Sequence, residues 1–503
     1  MSRLATLVSP RGLGIALSLS LCTTILAQQP VQELRRGVSG DRPRAQADPV
    51  PLSPRQDPPP TLPRGSGSRR SGNPWKTQDE LTQDDLERLA REIQSDLERM
   101  RDREFVRPVR VLLLERDPFL DRLVTQNRRS AAPMRLAAEE SAAKLLGLLP
   151  AIVDLEGTSR EVLQEQIGGF YDPGTDAIYL CRGTSASHTR VTLAHELVNA
   201  FDDQLHRVHE RRARFAGRSD AALAFEAVVE GSRAHTLYRW IRENRGKLAF
   251  KDLQDMPGME SSALGKAPEY IWKPWTCTYL RGPAFLARTD NVNRLGRVDF
   301  EDVERVLHDP PTSSEQILHP DKYWSERERD DPRSIEFDLE RLPAGWAAQD
   351  IDSLGELGLC LFTTPFDERG NVDGTDPLAL CKVEYSNDAA SGWGGDRYLL
   401  LRRGRARVLV LVTLWDSDRD AGEFLAAAEE LRPRLIEAVQ RYGHEVVPDL
   451  ASGGCFTGCR VDEGSSSDEV VWTSWVGLSI PELEQVLDGL HWRESLVQAQ
   501  KED

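Results

Sequence analysis

Between residues 28 and 74 the chain carries ten prolines, scattered Arg, Ser and Gly, and almost no aromatic residues. Such a stretch cannot bury enough apolar area to offset the entropy of ordering it, so it reads as an unstructured linker over 28–76. A packed core must come from the remainder. Upstream, Arg3 and Arg11 flank the start of an uncharged apolar run from Leu13 to Ala27, the pattern of an export signal over 1–27. Ile25-Leu26-Ala27 is an acceptable cleavage site, and Leu21 before Cys22 disfavours a lipid anchor. No other stretch is long enough to span a bilayer, since Val408 to Trp415 has only strand length. The expectation is a secreted, periplasmic or cell-envelope protein with no transmembrane segment after signal cleavage.

Charge narrows the partners. Residues 1–80 hold 11 Lys/Arg and 6 Asp/Glu, a net of +5. The whole chain carries −17, which leaves −22 on residues 81–503. A body that acidic repels nucleic-acid phosphates and anionic lipid, so no nucleic-acid partner is expected.

The folded part divides into residues 77–343 and 344–503. Leu86, Leu89, Ile93, Leu97 and Met100 recur at three- and four-residue steps, which predicts an amphipathic helix. Val109 to Leu114 reads as a strand, Asp117-Pro118 as a helix opening, and Ala132 to Leu148 as another helix. Phe170-Tyr171 and Ile178-Tyr179-Leu180 flank the turn-rich Asp172-Pro173-Gly174-Thr175-Asp176, which predicts a hairpin. In the second unit, Arg397–Leu401 and Arg407–Trp415 are strands joined around Gly404. A helix follows over Asp418–Tyr442, kinked or broken at Pro433. A strand over Glu469–Leu478 and a helix over Pro481–Leu490 close an α+β unit, while Ser391–Asp396 reads as a loop.

The chemistry concentrates between residues 192 and 235. His195 and Asn199 stand one helical turn apart on one face, with Glu196 between them. Two histidines at that spacing, with a glutamate base directly after the first, make the His-Glu-x-x-His zinc site of metallopeptidases. Here the second histidine is Asn199, whose neutral amide oxygen suits zinc poorly. His206 and His209 are too far away, roughly 16–21 Å along a helix axis. A second helix opens at Asp220, read as its N-cap, and carries Glu226 and Glu230 one turn apart. Those two glutamates are either a metal ligand and its neighbour or a solvated face. Trp272, Trp275 and Tyr279 either line a cleft or fill core.

The segments Gly168-Gly169-Phe170-Tyr171-Asp172-Pro173, Ile178-Tyr179-Leu180, Ala200, Asp203-Gln204 and Pro310 to Pro320 surround this motif. Together they resemble a family of secreted bacterial gluzincin-like proteins, whose pattern runs GFYDP, IYL, HExxHALxDQ, EG and STEQILHP. The resemblance covers about residues 80–325 and implies a zincin-like domain over 77–343. It implies His195 as the first metal ligand and Glu230 as the third, with Asn199 at the position of the second histidine, and Glu196 as catalytic base. Glu226, Tyr171 and His319 are the cleft candidates. Asn199 and Phe201 depart from the pattern, so zinc is expected to bind weakly or not at all.

Seven cysteines occur, six of them after residue 27. An even count in an exported chain suggests disulfides. Chain proximity favours Cys360–Cys381 and Cys455–Cys459, leaving Cys181–Cys277, and free buried thiols are the alternative.

Three functions fit. The first is a catalytically impaired metallopeptidase-like protein that binds a protein or peptide in the former active-site cleft. The second is a working metallopeptidase with Asn199 as an unusual ligand. The third is a structural envelope protein whose C-terminal unit does the binding.

Overall fold

The computed structural model describes residues 83–495, apart from 131–132, 167, 184–185, 249–262, 264–265, 290–297, 365–381, 448–455 and 465. The signal and linker read over 1–76, together with Cys22, Cys381 and Cys455, lie outside the described residues.

Helix α1 (Gln83–Arg101) buries Leu86, Leu89, Ile93, Leu97 and Met100, the stripe that its periodicity predicts. Strand β1 (Arg110–Leu114), helices α2 (Arg116–Ser130), α3 (Pro133–Leu145) and α4 (Leu155–Gln166), and the hairpin β2 (Gly169–Asp172) and β3 (Ala177–Cys181) follow. The three strands form one sheet in the order β1-β3-β2. β1 runs parallel to β3 and β2 antiparallel to it. Helix α5 (Ala186–His206) packs Val191, Ala194, Leu197 and Val198 against Tyr171, Ile178 and Leu180 of this sheet.

Helix α6 (Ser219–Asn244) is buried along most of its length. It crosses helix α7 (Glu269–Ala287) backbone against backbone. A Cβ at Gly231 would lie 2.7 Å from the Gly282 carbonyl oxygen, and one at Gly282 only 2.0 Å from that of Ala227. Only glycine permits that approach. Helices α8 (Phe300–His308) and α9 (Ser314–Leu318) complete this half.

The second half is antiparallel. Strands β5 (Ala347–Asp352), β6 (Trp393–Arg403), β7 (Ala406–Trp415), β8 (Phe456–Glu463) and β9 (Glu469–Leu478) form one sheet in the order β5-β6-β7-β9-β8. β4 (Ser334–Asp338) pairs with the last strand, β10 (His491–Ser495). Helix α10 (Gly355–Thr363) follows β5, α11 (Asp418–Val446) follows β7, and α12 (Ile480–Asp488) follows β9. The fold class is α+β. The two halves share a core, because Leu146, Ile271 and Trp272 belong to the same buried cluster as Leu400, Leu411 and Trp472.

Three local expectations change. Helix α11 runs unbroken through Pro433, held by Leu431, Leu435 and Val439, which are buried on either side of it. The Ser391–Asp396 stretch is not all loop, since β6 starts at Trp393. Its Gly395 has φ 157, and a Cβ there would come within 2.3 Å of the Arg333 carbonyl oxygen. Asp220 does not cap α6: Arg218 is the cap residue, and Asp220 Oδ1 instead accepts the Ser314 amide at 3.0 Å.

The cysteines are free where they are described. Cys181, Cys277, Cys360 and Cys459 are all buried thiols. The expected Cys181–Cys277 bridge is therefore corrected: Cys181 ends β3 in the cluster around Phe119 and Phe170, whereas Cys277 sits on α7 with Leu357 and Tyr385. The partners read for Cys360 and Cys459 lie outside the described residues.

The α6–α7 crossing makes a direct prediction. Gly282→Ala should force the helices apart and destabilise the chain by about 1–3 kcal/mol, the usual range for overpacking. A lowered urea midpoint against an unchanged Gly246→Ala control, where nothing lies within 4 Å of the added methyl, would show it.

Candidate functional site

Helices α5 and α6 carry the four residues of the expected metal site. His195, Glu196 and Glu230 are each 1% exposed and Asn199 is 2% exposed, so the group sits in the interior. Their hydrogen bonds run through a residue that the sequence reading did not single out. Arg233, also 1% exposed, donates from Nη1 to Glu230 Oε1, and from Nη2 to Asn199 Oδ1 at 2.6 Å. Asn199 donates from Nδ2 to Glu196 Oε2 at 3.2 Å. A chain of contacts thus leads from Glu230 through Arg233 and Asn199 to Glu196.

The electrostatics follow. Burial, reinforced by the Arg233 charge, lowers His195 to about 3, so its imidazole is neutral at physiological pH. His195 Nδ1 has no hydrogen-bond partner. Burial raises the Glu230 carboxyl, while Arg233 pulls it back and the Tyr279 hydroxyl bonds to it.

A zinc ion does not fit these residues as they stand. Glu230 Oε1 and the Asn199 amide oxygen are both engaged by one guanidinium. That guanidinium already supplies the positive charge. The remaining donors are His195 and Glu230 Oε2, and one imidazole with one carboxylate oxygen beside a guanidinium does not make a four-ligand zinc site.

Glu196 is also committed. Its Oε2 accepts the Tyr171 amide at 2.9 Å as well as the Asn199 amide group. The Tyr171 carbonyl takes a bond from Gln126 Nε2 at 3.2 Å. Both outward main-chain groups of Tyr171 on β2 are therefore used internally, and no extended substrate can pair with them there.

The cleft candidates separate. Tyr171 is 1% exposed, with its hydroxyl donating to Asp176 at 2.9 Å, so it is corrected from cleft to core. His319 Nε2 lies 2.9 Å from Glu356 Oε1 on α10, a contact between the two halves. Glu226 does line a pocket, where it is paired with Arg212, whose Nη2 reaches Oε2 at 2.8 Å. Trp272 and Tyr279 are core, and Trp275 faces the same pocket as Glu226.

This pocket of about 220 Å³ lies among α3, α6, α7 and α10. Leu136, Leu223, Ile271, Pro274, Trp275 and Leu357 make its apolar wall. Glu139, Asp220, Arg135 and the Arg212–Glu226 pair are its charged groups. Burial, with Asp352 and Asp350 nearby, raises Glu139 to about 7. Burial likewise raises Asp220 to about 7, with Asp396 and Glu356 adding to the effect.

The Pro310–Pro320 segment serves architecture. Ser313 caps α9 by accepting the Gln316 amide at 3.2 Å, and Gln316 binds Thr312 N at 2.8 Å and the Asp330 carbonyl at 2.6 Å. Glu315, Asp330 and Asp416 converge closely enough to hold a metal ion. Lys322 Nζ already bonds to all three, at 2.6, 2.7 and 3.0 Å, so that nest too is filled by a side-chain cation.

Residues 340–478 match the profile of a domain of unknown function (DUF8575). No curated protein and no solved structure matches the chain. The matched segment runs through the five-stranded sheet and contains none of His195, Glu196, Asn199, Glu230 or Arg233.

The pocket carboxyls set a pH dependence. Glu139 binds its proton more tightly in the fold than in the unfolded chain. Its contribution to stability is therefore full below its ordinary value of 4.5 and is lost as pH rises through about 7. In Glu139→Gln the fall in urea midpoint across that window should be shallower than in the parent chain. Parallel pH profiles for the two chains would contradict the assignment.

Proposed function

We propose that the chain is an exported zincin-like protein that has lost metal catalysis and works by binding a protein or peptide group. The observation that carries this reading is the Arg233 guanidinium, held between Glu230 and Asn199 where the motif would place a metal. A tethered cation pairs with one oxygen of the glutamate, occupies the amide and sits beside His195. Asn199 belongs to the same substitution: its oxygen accepts from Arg233 and its amide group donates to Glu196.

The binding role goes to the pocket beside this centre. Glu226 lies one turn before Glu230 on α6, so the pocket wall adjoins the old catalytic face. The burial of His195 and Glu196 argues against a ligand reaching them directly. Export, and with it the compartment in which the partner is met, rests on the Leu13–Ala27 pattern.

Zinc content tests the proposal. The purified parent chain should hold well under one zinc, and Asn199→His alone should gain little, because Arg233 still occupies the centre. Asn199→His combined with Arg233→Ala should bind about one zinc per chain, since it supplies two imidazoles and a free glutamate. Elemental analysis after dialysis against a weak chelator reads this out. Stoichiometric zinc with chelator-sensitive cleavage of a denatured protein in the parent chain would refute the proposal and restore the active-enzyme reading.

A further inference from the structure

Helix α10 opens at the junction of the two halves with no side-chain cap from its own N-cap residue, Leu354. Its first amides are met by other elements. Asp396 of β6 accepts Leu354 N at 2.8 Å and Gly355 N at 2.7 Å, and Ser314 Oγ of α9 accepts Leu357 N at 3.2 Å. A second carboxylate arrives at the same turn. A Cβ on Gly355, whose φ is 68, would lie 1.7 Å from Asp220 Oδ1, so the Asp220 carboxyl of α6 rests directly on this residue. The Ser314 amide, at 3.0 Å, and the Ser314 hydroxyl bond to Asp220, and its Oδ2 has no donor. A helix N-terminus favours an anion, but here Asp396 already takes the free amides.

No cation offsets the second carboxylate. Asp220 and Asp396 are 4% and 5% exposed, and among the described residues neither forms an ion pair; Arg397 acts on Asp396 only through its field. Glu356, fully buried on α10, is a third acid. Its basic partner is His319 at 2.9 Å, cationic only when protonated, and Ser386 Oγ donates to it. The other charges at the junction are balanced, Asp352 by Arg135 and Glu315 by Lys322. Cys277 of α7, which packs with Leu357, is a neutral thiol that burial pushes up to about 12. Two carboxylates buried against one residue without a cation do not both ionise cheaply, so one keeps a proton.

We propose that this junction is a proton-operated latch: a proton on the Asp220–Asp396 pair holds the first turn of α10 between the two halves, and its loss to solvent loosens that turn. Leu354, Leu357 and Leu361 also form one wall of the pocket, so the latch sets how firmly that wall is held. It requires no ligand and is independent of the loss of metal chemistry. Burial raises Asp220 to about 7 against the Ser314 bonds, with Asp396 and Glu356 adding to the rise. Opening α10 returns the group toward its ordinary 3.8. The closed turn therefore binds the proton more tightly: its hold is full below 3.8 and is lost as pH rises through about 7.

Hydrogen exchange of the full chain, followed by mass spectrometry and corrected for the intrinsic pH dependence of exchange, reads the latch. Protection of peptides over Gly355–Thr363 should fall about tenfold per pH unit between about pH 5 and 7 and then level off, while Gln83–Arg101 keeps its protection. Asp220→Asn, which keeps an acceptor for the Ser314 amide, and Asp220→Ala should each make the α10 profile shallower by about that factor. Constant protection over α10 in the parent chain overturns the latch, whatever the variants do. A fall of the same size over α1 assigns the proton to the stability of the whole fold and also overturns it, as do parallel profiles in the parent and a folded variant.

Discussion

The interior of this protein is organised around a buried guanidinium. Arg233 sits where α5 and α6 face each other, and its two bonds tie Glu230 of one helix to Asn199 of the other. Burying one charge alone is prohibitive, and burying a hydrogen-bonded pair is tolerable only with good geometry. That condition fixes the register between the helices. It also governs Glu196, because Asn199 passes the network on to that carboxylate and thence to the Tyr171 amide of β2. A sheet strand and two helices are locked through one cation.

The same solution recurs. Arg101, with a fully buried side chain, reaches Asp202 at 3.1 Å and Glu304 at 2.8 Å. Lys322 gathers Glu315, Asp330 and Asp416. Carboxylates brought together on neighbouring elements are neutralised by long basic side chains from the same chain. An acidic body of this kind needs internal cations to pack its carboxylates, and here arginine and lysine supply them.

Much of the local structure was legible because periodicity reports burial directly. The stripe from Leu86 to Met100 is the buried face of α1, and the Phe170–Leu180 hairpin pairs Phe170 with Tyr179 across its strands. The strand over Glu469–Leu478 has the bounds that its apolar run predicts. Other features were hidden because they depend on partners distant in sequence. Asp220 looked like a cap until the Ser314 amide, 94 residues away, took its oxygen. Cys181 and Cys277 looked like a pair by elimination, but they occupy different clusters. Pro433 is accommodated because the buried leucines around it anchor both sides of α11. Arg233 did leave a local signal, since it lies three residues after Glu230, a spacing at which opposite charges meet on a helix.

The central claim is that Arg233 takes the place of a metal. A crystal structure of the parent chain, grown with excess zinc and recorded at the zinc absorption edge, tests this most directly. The account predicts the guanidinium between Glu230 and Asn199, with no anomalous density beside His195. An anomalous peak bonded to His195 and Glu230, with the Arg233 side chain displaced, would contradict it.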